Sequence, residues 1–432
     1  MIPLQKGVLS PLSQADDPIG LTGTVSAKKF FMTRRSETMN IKSLILGSAA
    51  ALVAGGAAQA ADLPVAEPVD YVKVCNAYGA GYHFIPGTDT CLKVSGYVRA
   101  EFRFNERKGG HTNNLPDNDD RADNKTNIYA KASLEFTAKE ETELGTLVGY
   151  MRLEGGTDST SAGVSNLTSN DGFNKYYLSI GGLYAGLTDS AANITSTDVG
   201  MYGSTIGDHD TGAIGYNMDL GNGVTATLAL ENSRRAAIAG LAGAAYAGQT
   251  LPDVVAALSV AQGWGSAKIG GAIHTINYDG VAVSQDNDIG YYVGAGVSFN
   301  LDMLSAGSSI GFSAGYGKGA MGFVGGTNDA TWNGTDFKLN SAYKLGVALK
   351  YAWASNFNTV LTGSYLSYND NASTADYKSW DAGFMAEYLP VNNLIVRAGV
   401  KYSKTNWSSA ANAAGREDVG TWEGKLRLQR NF

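Results

Sequence analysis

Leu92-Lys93-Val94-Ser95-Gly96-Tyr97-Val98-Arg99-Ala100-Glu101-Phe102-Arg103-Phe104 can be sorted by parity into two unlike sets. Leu92, Val94, Val98, Ala100, Phe102 and Phe104, with Gly96 among them, take one parity; Lys93, Ser95, Tyr97, Arg99, Glu101 and Arg103 take the other. A strand sends successive side chains to opposite faces, so the segment is an extended ribbon with one oily side and one charged side. A helical period would scatter both sets. The split recurs with Ile128, Ala130, Ala132, Leu134 and Phe136 against Tyr129, Lys131, Ser133, Glu135 and Thr137. Near the end Leu394, Val396, Ala398, Val400 and Tyr402 oppose Arg397, Lys401 and Ser403.

Segments of this kind are joined alternately by short and long connections. Short polar turns fall near Glu140 to Gly145, Gly181 to Gly182, Gly221 to Gly223, Gly263 to Gly265, Asp302 to Gly307, Ser355 to Asn358 and Val391 to Asn393. Long loops fall near Lys108 to Lys125, Gly155 to Gly172, Ser190 to Thr211, Asn232 to Pro252, Tyr278 to Asn287, Gly319 to Asn340, Asn369 to Tyr377 and Lys404 to Arg416. Together they predict sixteen strands, with turns on one rim and long loops on the other, the arrangement of an outer-membrane barrel. Leu92 to Phe432 leaves about 21 residues per strand plus connection, enough for a tilted span of ~9–11 residues. The alternation is weakest over Asn358 to Tyr368, where both faces look similar, and over Val254 to Ala261, which is apolar throughout.

The fold class predicted is therefore all-β: a transmembrane antiparallel β-barrel of sixteen strands, with long outer loops and short periplasmic turns. Charged residues make up 17% of the 432, below the roughly 25% of a soluble domain, yet no stretch after residue 60 is long and apolar enough for a spanning helix. A multi-span helical membrane protein is excluded. The acidic balance, 40 acidic against 33 basic side chains, argues against a nucleic-acid partner. Lipid offers the backbone no hydrogen bonds, so such a sheet must close on itself. Sixteen strands enclose more space than side chains fill, which implies a water-filled interior. Among the 23 tyrosines, Tyr97, Tyr150, Tyr176, Tyr177, Tyr216, Tyr291, Tyr343, Tyr351 and Tyr388 are candidates for interfacial aromatic girdles, a position inside the lumen being the alternative for each.

Upstream of the barrel the composition changes. Residues 1–38 show no periodicity, whereas Met39 opens a short positive start, an apolar stretch from Leu44 to Ala58 and the small-x-small site Ala58-Gln59-Ala60. Residues 39–60 read as a signal peptide and 1–38 as an over-long reading frame or leader. N-terminal sequencing of the exported protein should then begin Ala61-Asp62-Leu63. The mature part carries 27 basic and 37 acidic side chains, a charge of −10, which favours mild cation selectivity at a pore mouth. Residues 61–91 form an N-terminal segment in which Cys75 and Cys91, in an oxidising compartment, are expected to close a small disulfide loop worth about 3 kcal/mol. No C-x-x-C spacing supports a redox role. At the other end Trp422, Gly424, Leu426, Leu428 and Phe432 share one parity, and the terminal aromatic Phe432 resembles the signal read by the barrel-assembly machinery.

Three stretches carry a family resemblance: Val74-Cys75-Asn76-Ala77-Tyr78-Gly79-Ala80-Gly81, then Ile85-Pro86-Gly87-Thr88-Asp89-Thr90-Cys91-Leu92 and Gly96-Tyr97-Val98-Arg99. With the ending Leu426-Arg427-Leu428-Gln429-Arg430-Asn431-Phe432, the chain resembles the trimeric outer-membrane porins of alphaproteobacteria related to rhizobia and brucellae. The resemblance implies a homotrimer in outer-membrane lipid and lipopolysaccharide, passing small hydrophilic solutes and ions by diffusion. It also implies that the third long loop, Ser190 to Thr211, folds inward as a constriction. Asp198, Asp208 and Asp210, with His209, are that loop's candidates. Facing them, the inward parity offers Arg99, Arg103, Lys131, Arg152, Arg397 and Lys401 as lumen bases. Acids across a narrow water gap from bases make a transverse field that favours dipolar solutes. The plainer reading of each is a solvated charge away from the narrowest point.

Other motifs are set aside. Gly311-Phe312-Ser313-Ala314-Gly315 has the G-x-S-x-G form of a hydrolase elbow but continues as an alternating strand, and Gly315-Tyr316-Gly317-Lys318-Gly319 lacks a helix to cradle phosphate. His83, His111, His209 and His274 form no ligand pair, and Asp117, Asp119 and Asp120 lack the glycine and distal Glu of a calcium loop. No metal, cofactor or catalytic role is expected. A general-diffusion porin leads; a substrate-specific outer-membrane channel is the alternative, ahead of a barrel enzyme or an adhesin.

Overall fold

The computed structural model describes residues 73–109, 125–158, 166–167, 172–241, 245–279, 287–371 and 375–432. The proposed leader and signal peptide, and His111, Asp117, Asp119 and Asp120, lie outside the described residues.

Sixteen long strands follow one another: β1 (Cys91–Lys108), β2 (Thr126–Thr142), β3 (Gly145–Asp158), β4 (Gly172–Ile180), β5 (Leu183–Asp189), β6 (Asp210–Gly221), β7 (Val224–Glu231) and β8 (Asp253–Gln262). The second half holds β9 (Gly265–Asp279), β10 (Asn287–Asn300), β11 (Ser309–Lys318), β12 (Ser341–Ala354), β13 (Phe357–Asn369), β14 (Tyr377–Val391), β15 (Leu394–Trp407) and β16 (Val419–Asn431). Each pairs antiparallel with the next. β16 returns to β1, with Leu426 opposite Phe102 and Leu428 opposite Ala100. The sheet thus closes and leaves no open edge for lipid to strand. At the seam, Phe432 and Gly96 exchange both backbone hydrogen bonds, at 3.0 and 3.1 Å.

Turn chemistry explains the short rim. β6 and β7 are joined by Asn222-Gly223, at φ 53° and 73°, two successive left-handed residues that match the twist of a tight hairpin. Asn393 does the same before β15, at φ 64°. All seven short turns fall where the polar breaks predicted them. The long loop before β6 ends sooner than expected, since Asp210 and Thr211 already belong to that strand.

Cross-strand register carries the oily parity around the whole circumference. Val98, Phe102, Ile128, Leu178, Ile214, Leu228, Leu258, Ile273, Val293, Phe312, Leu345, Leu361, Phe384, Val400 and Leu426 all stay exposed. A belt of this extent would be untenable in water and is what hydrocarbon solvates. Tyr176, Tyr216, Tyr291, Tyr343, Tyr351 and Tyr388 share that outer parity. Tyr97, Tyr150 and Tyr177 do not: Tyr97 donates to Glu154 at 3.0 Å, and Tyr150 stacks on Tyr177 on the charged face, so these three are inner-wall residues.

Among the described residues the largest buried cluster covers part of the inner face. Ala192, Ile194 and Ile206, from the segment between β5 and β6, pack with Val255 of β8, Ala272 of β9, Tyr292 of β10 and the short helix α1 (Met321–Val324). A disulfide joins Cys75 to Cys91, and both cysteines are buried with Tyr82.

Candidate functional site

On β15, β16, β1, β2 and β3 the inward parity brings charges into contact. Glu101 is the centre of the largest group: its side chain is fully enclosed, with Arg427 Nε at 2.5 Å, Arg103 Nε at 2.6 Å and Arg99 farther off at 3.9 Å. Arg99 also donates to Gln429 at 2.8 Å, and its guanidinium lies over Tyr97, as that of Arg103 lies over Tyr129. Lys401 pairs with Glu423 at 3.0 Å, Lys425 approaches the same carboxylate at 3.6 Å, and Arg397 pairs with Glu387. On β2 and β3, Lys131 reaches Glu154 at 2.8 Å while Arg152 stands between Glu135 and Glu154 at 3.5 and 3.8 Å. Every predicted lumen base therefore lies on the charged face, and each is matched to a carboxylate. Alternating charge in register lets water-facing side chains hold one another in place instead of collapsing on a single partner.

The residues between β5 and β6 make a different set of contacts. Ile194 and Ile206 bridge to each other through their backbones. Ser196 Oγ donates to the Phe312 carbonyl at 2.7 Å, and Thr197 Oγ1 donates to the Ser204 carbonyl at 2.5 Å while lying 2.8 Å from Ser313 Oγ. Lys344 of β12 donates to the Thr205 carbonyl at 2.9 Å. Tyr202 is buried, donates to the Gly399 carbonyl of β15 at 3.1 Å, and has the ammonium groups of Lys401 and Lys425 5.8 and 5.1 Å from its ring. Burial pushes the Tyr202 phenol well above its ordinary pKa, so it stays a neutral donor at physiological pH.

The three predicted loop acids do not form one group. Asp208 accepts from Asn193 at 2.8 Å. Asp198 is held above the ordinary carboxylate range by desolvation and, second, by the charge of Asp208. Asp210 sits on β6, where Lys175 of β4 bridges it and Asp189 at 3.2 and 2.7 Å. His209 is buried edge-on against Phe323 of α1, with ring centroids 5.1 Å apart. Burial, aided by Arg234, pushes its pKa down to about 4, so it is neutral at pH 7. Gly207 donates to the Phe323 carbonyl at 2.7 Å, which ties α1 to the same segment.

Six contributors are not among the candidate lumen residues: Glu101, which the sequence puts on the charged parity without a role, and Arg427, Lys425, Glu423, Lys344 and Tyr202. The signal for four of them was present. Trp422, Gly424, Leu426 and Leu428 were assigned to one parity, which puts Glu423, Lys425 and Arg427 on the other, as Glu101 sits between Arg99 and Arg103.

A closed antiparallel barrel with an oily outside and a charged inside is the architecture of outer-membrane porins. The chain belongs to the Porin subfamily, whose profile matches residues 62–424. It is an integral β-barrel of the outer membrane. Among curated proteins it is similar to porin Omp2b of Brucella suis biovar 1 (strain 1330) and of Brucella melitensis biotype 1, at 41% identity over 250 residues in each case. The match covers 53% of this chain and 64% of those relatives, so it spans less than two thirds of their length. Among solved structures the outer membrane channel DcaP of Acinetobacter baumannii shares the fold, with a TM-score of 0.67, 17% identity, and coverage of 81% of this chain and 99% of that one.

Proposed function

We propose that this protein is a general-diffusion porin: a homotrimeric, water-filled channel that passes small hydrophilic solutes and ions, with residues 190–209 as an inward constriction. The observation that carries this reading is the unequal use of the inner face. Residues 190–209 touch inner-face groups from Glu231 of β7 round to Gly399 of β15, and Tyr202 reaches Lys425 of β16, while the ionic wall of β1–β3 is occupied by its own salt bridges and those to Arg427. A loop resting on one side of a sixteen-strand ring leaves the other side for water, since side chains do not fill so wide a barrel. Lumen ion pairs stabilise little when hydrated, but they keep the wall polar and fix where the charges stand.

Arg99, Arg103, Arg397, Lys401, Lys425 and Arg427 share their stretch of wall with Glu101, Glu387 and Glu423, whereas the chain as a whole is acidic. The two tendencies oppose each other, so ion preference is weak and mildly cationic. Phe432 at the β1–β16 seam serves as the assembly signal, and lipopolysaccharide surrounds the outer rim.

Purified protein in a planar bilayer tests the reading. Large, weakly selective conductance steps in groups of three are expected; a protein that inserts but stays silent overturns it. Saturation of the conductance by one sugar or one anion would favour the substrate-specific alternative.

A further inference from the structure

Six glycines lie on the inner parity of six strands: Gly270 on β9, Gly296 on β10, Gly311 on β11, Gly346 on β12, Gly383 on β14 and Gly399 on β15. None has a left-handed φ, so their backbones are ones that any residue adopts. What they provide is space. A Cβ on Gly296 would stand 2.2 Å from Ser196 Oγ, and one on Gly311 1.9 Å from the Ser196 carbonyl oxygen. On Gly346 it would stand 2.5 Å from Ser313 Oγ and 3.0 Å from Thr197 Oγ1, on Gly270 3.2 Å from Ala192 Cα, on Gly383 2.7 Å from Thr362 Oγ1 and 3.0 Å from Tyr202 Cβ, and on Gly399 2.8 Å from both the Phe384 carbonyl oxygen and the Tyr202 ring. Each strand in this row thus gives up a side chain where one short segment, residues 192–202, passes.

Glycine within a strand weakens it, and a strand glycine commonly marks the close approach of another backbone. Six such positions meeting one segment give the feature a direction. We propose that this inner-wall glycine row is the seat of the third loop, that it sets how far the loop stands off the wall, and that these glycines are therefore specificity-determining for solute size. The assignment rests on the channel reading. It also accounts for Gly311-Phe312-Ser313-Ala314-Gly315, where Gly311 admits Ser196, Ser313 meets Thr197, and a Cβ on Gly315 would press on Ile206 at 2.5 Å.

The test wedges the loop off its seat. G296A and G399A add one methyl group each under the loop; G149A adds one on the outer face, where nothing lies within 4 Å, and is the control. Reconstituted in liposomes, the two inner variants should slow a trisaccharide relative to a pentose by roughly twofold, with G149A unchanged. A second readout does not depend on conduction: nitroxides on Val199→Cys and Glu143→Cys should report a changed distance in G296A and G399A and none in G149A. In a Tyr202→Ala background the G399A effect should shrink without vanishing, because the ring it presses on is gone while a Cβ there still stands 2.8 Å from the Phe384 carbonyl oxygen and 3.2 Å from Met201 Cε. Should G296A fail to assemble, G383A offers a milder wedge. A silent wild type whose distances still shift would remove the channel reading and keep the seat. Unchanged distance and unchanged size ratio in both inner variants would overturn the seat.

Discussion

The inner wall uses two vocabularies. Along β10, β11 and β12 it reads Gly294, Gly296, Ser298, then Gly311, Ser313, Gly315, then Gly346 and Ala348; along β16, β1, β2 and β3 it reads Lys425 and Arg427, then Arg99, Glu101 and Arg103, then Lys131 and Glu135, then Arg152 and Glu154. The difference follows from what each wall faces. Where residues 190–209 rest, a charge would lose its water and a large side chain its space, so hydroxyls and bare backbone serve best. Where solute water is expected, charges cost little and can order one another. Two charges on the covered side are instructive exceptions, and both bond the loop backbone: Lys344 donates to the Thr205 carbonyl at 2.9 Å and Glu231 accepts from the Ala191 amide at 2.7 Å. One barrel thus needs two chemistries on a single face, one to hold a loop and one to line a passage.

The contrast can be broken most severely at Glu101. Its carboxylate is enclosed by Arg103 and Arg427, so E101A leaves two guanidinium groups facing each other without a counter-charge. Truncating one member of a buried ionic group typically costs 3–5 kcal/mol. Both arginines keep some solvent contact, so a loss of about 3 kcal/mol is expected in urea unfolding from detergent micelles, with the reversal potential moving toward anions. An unchanged midpoint would mean that the charged wall is held by the barrel alone.

Acid probes the other wall. His209 titrates at about 4 in the folded protein because it is buried, against about 6.5 in an unfolded chain. A depressed histidine stabilises the fold fully above 6.5 and loses that contribution as pH falls toward 4, because the unfolded state takes up the proton first. At pH 5 the loss is about 2 kcal/mol. Asp198 works in the opposite direction, since its raised pKa favours the folded form on acidification. Thermal unfolding followed from pH 7 to 5 should fall more steeply in the native protein than in H209N, and parallel curves would argue against the docking of His209 on Phe323.

A smaller change sharpens the hydroxyl side. Thr197 is fully buried and bonded to Ser204 and Ser313. T197V keeps its shape and removes the hydroxyl, a loss of about 1 kcal/mol. The expected sign is more open-channel noise with the mean conductance retained, because the loop is loosened without being displaced. Quiet traces in T197V would assign the seating to packing alone.

The same contrast explains what was legible in the sequence. Alternation announces a strand when one face meets oil and the other water, so β1, β2 and β15 were plain. It faded over Val254 to Ala261 and Asn358 to Tyr368, and the structure gives the reason: Val255, Val360 and Leu366 face inward but are buried there, so large apolar residues stand on both parities. Lumen bases were legible one strand at a time; their partners were less so. Arg427 and Glu101 are 326 positions apart and meet only because the last strand closes on the first. The glycines of the loop seat were invisible as such, because a glycine that yields space looks the same in sequence as one that bends a turn. Tyrosine was ambiguous for a similar reason: Tyr176 and Tyr177 are neighbours, and parity alone sends the first outward and the second in.

The mildest perturbation addresses the sign of the charged wall. Lys425 and Arg427 stand on β16 beside Glu423 and Glu101, where cations outnumber carboxylates. K425Q reduces that excess and leaves the Lys401–Glu423 pair at 3.0 Å in place. The cation-to-anion permeability ratio should rise, by less than about threefold, since neighbouring charges and salt at a Debye length of about 10 Å in 0.1 M share the field. Repeating the reversal-potential measurement at 1 M, where that length is about 3 Å, should shrink the change further. A ratio that moves toward anions in K425Q would mean that the lysine acts by holding Glu423 and Tyr202 in place, so that its charge counts for less than its contacts.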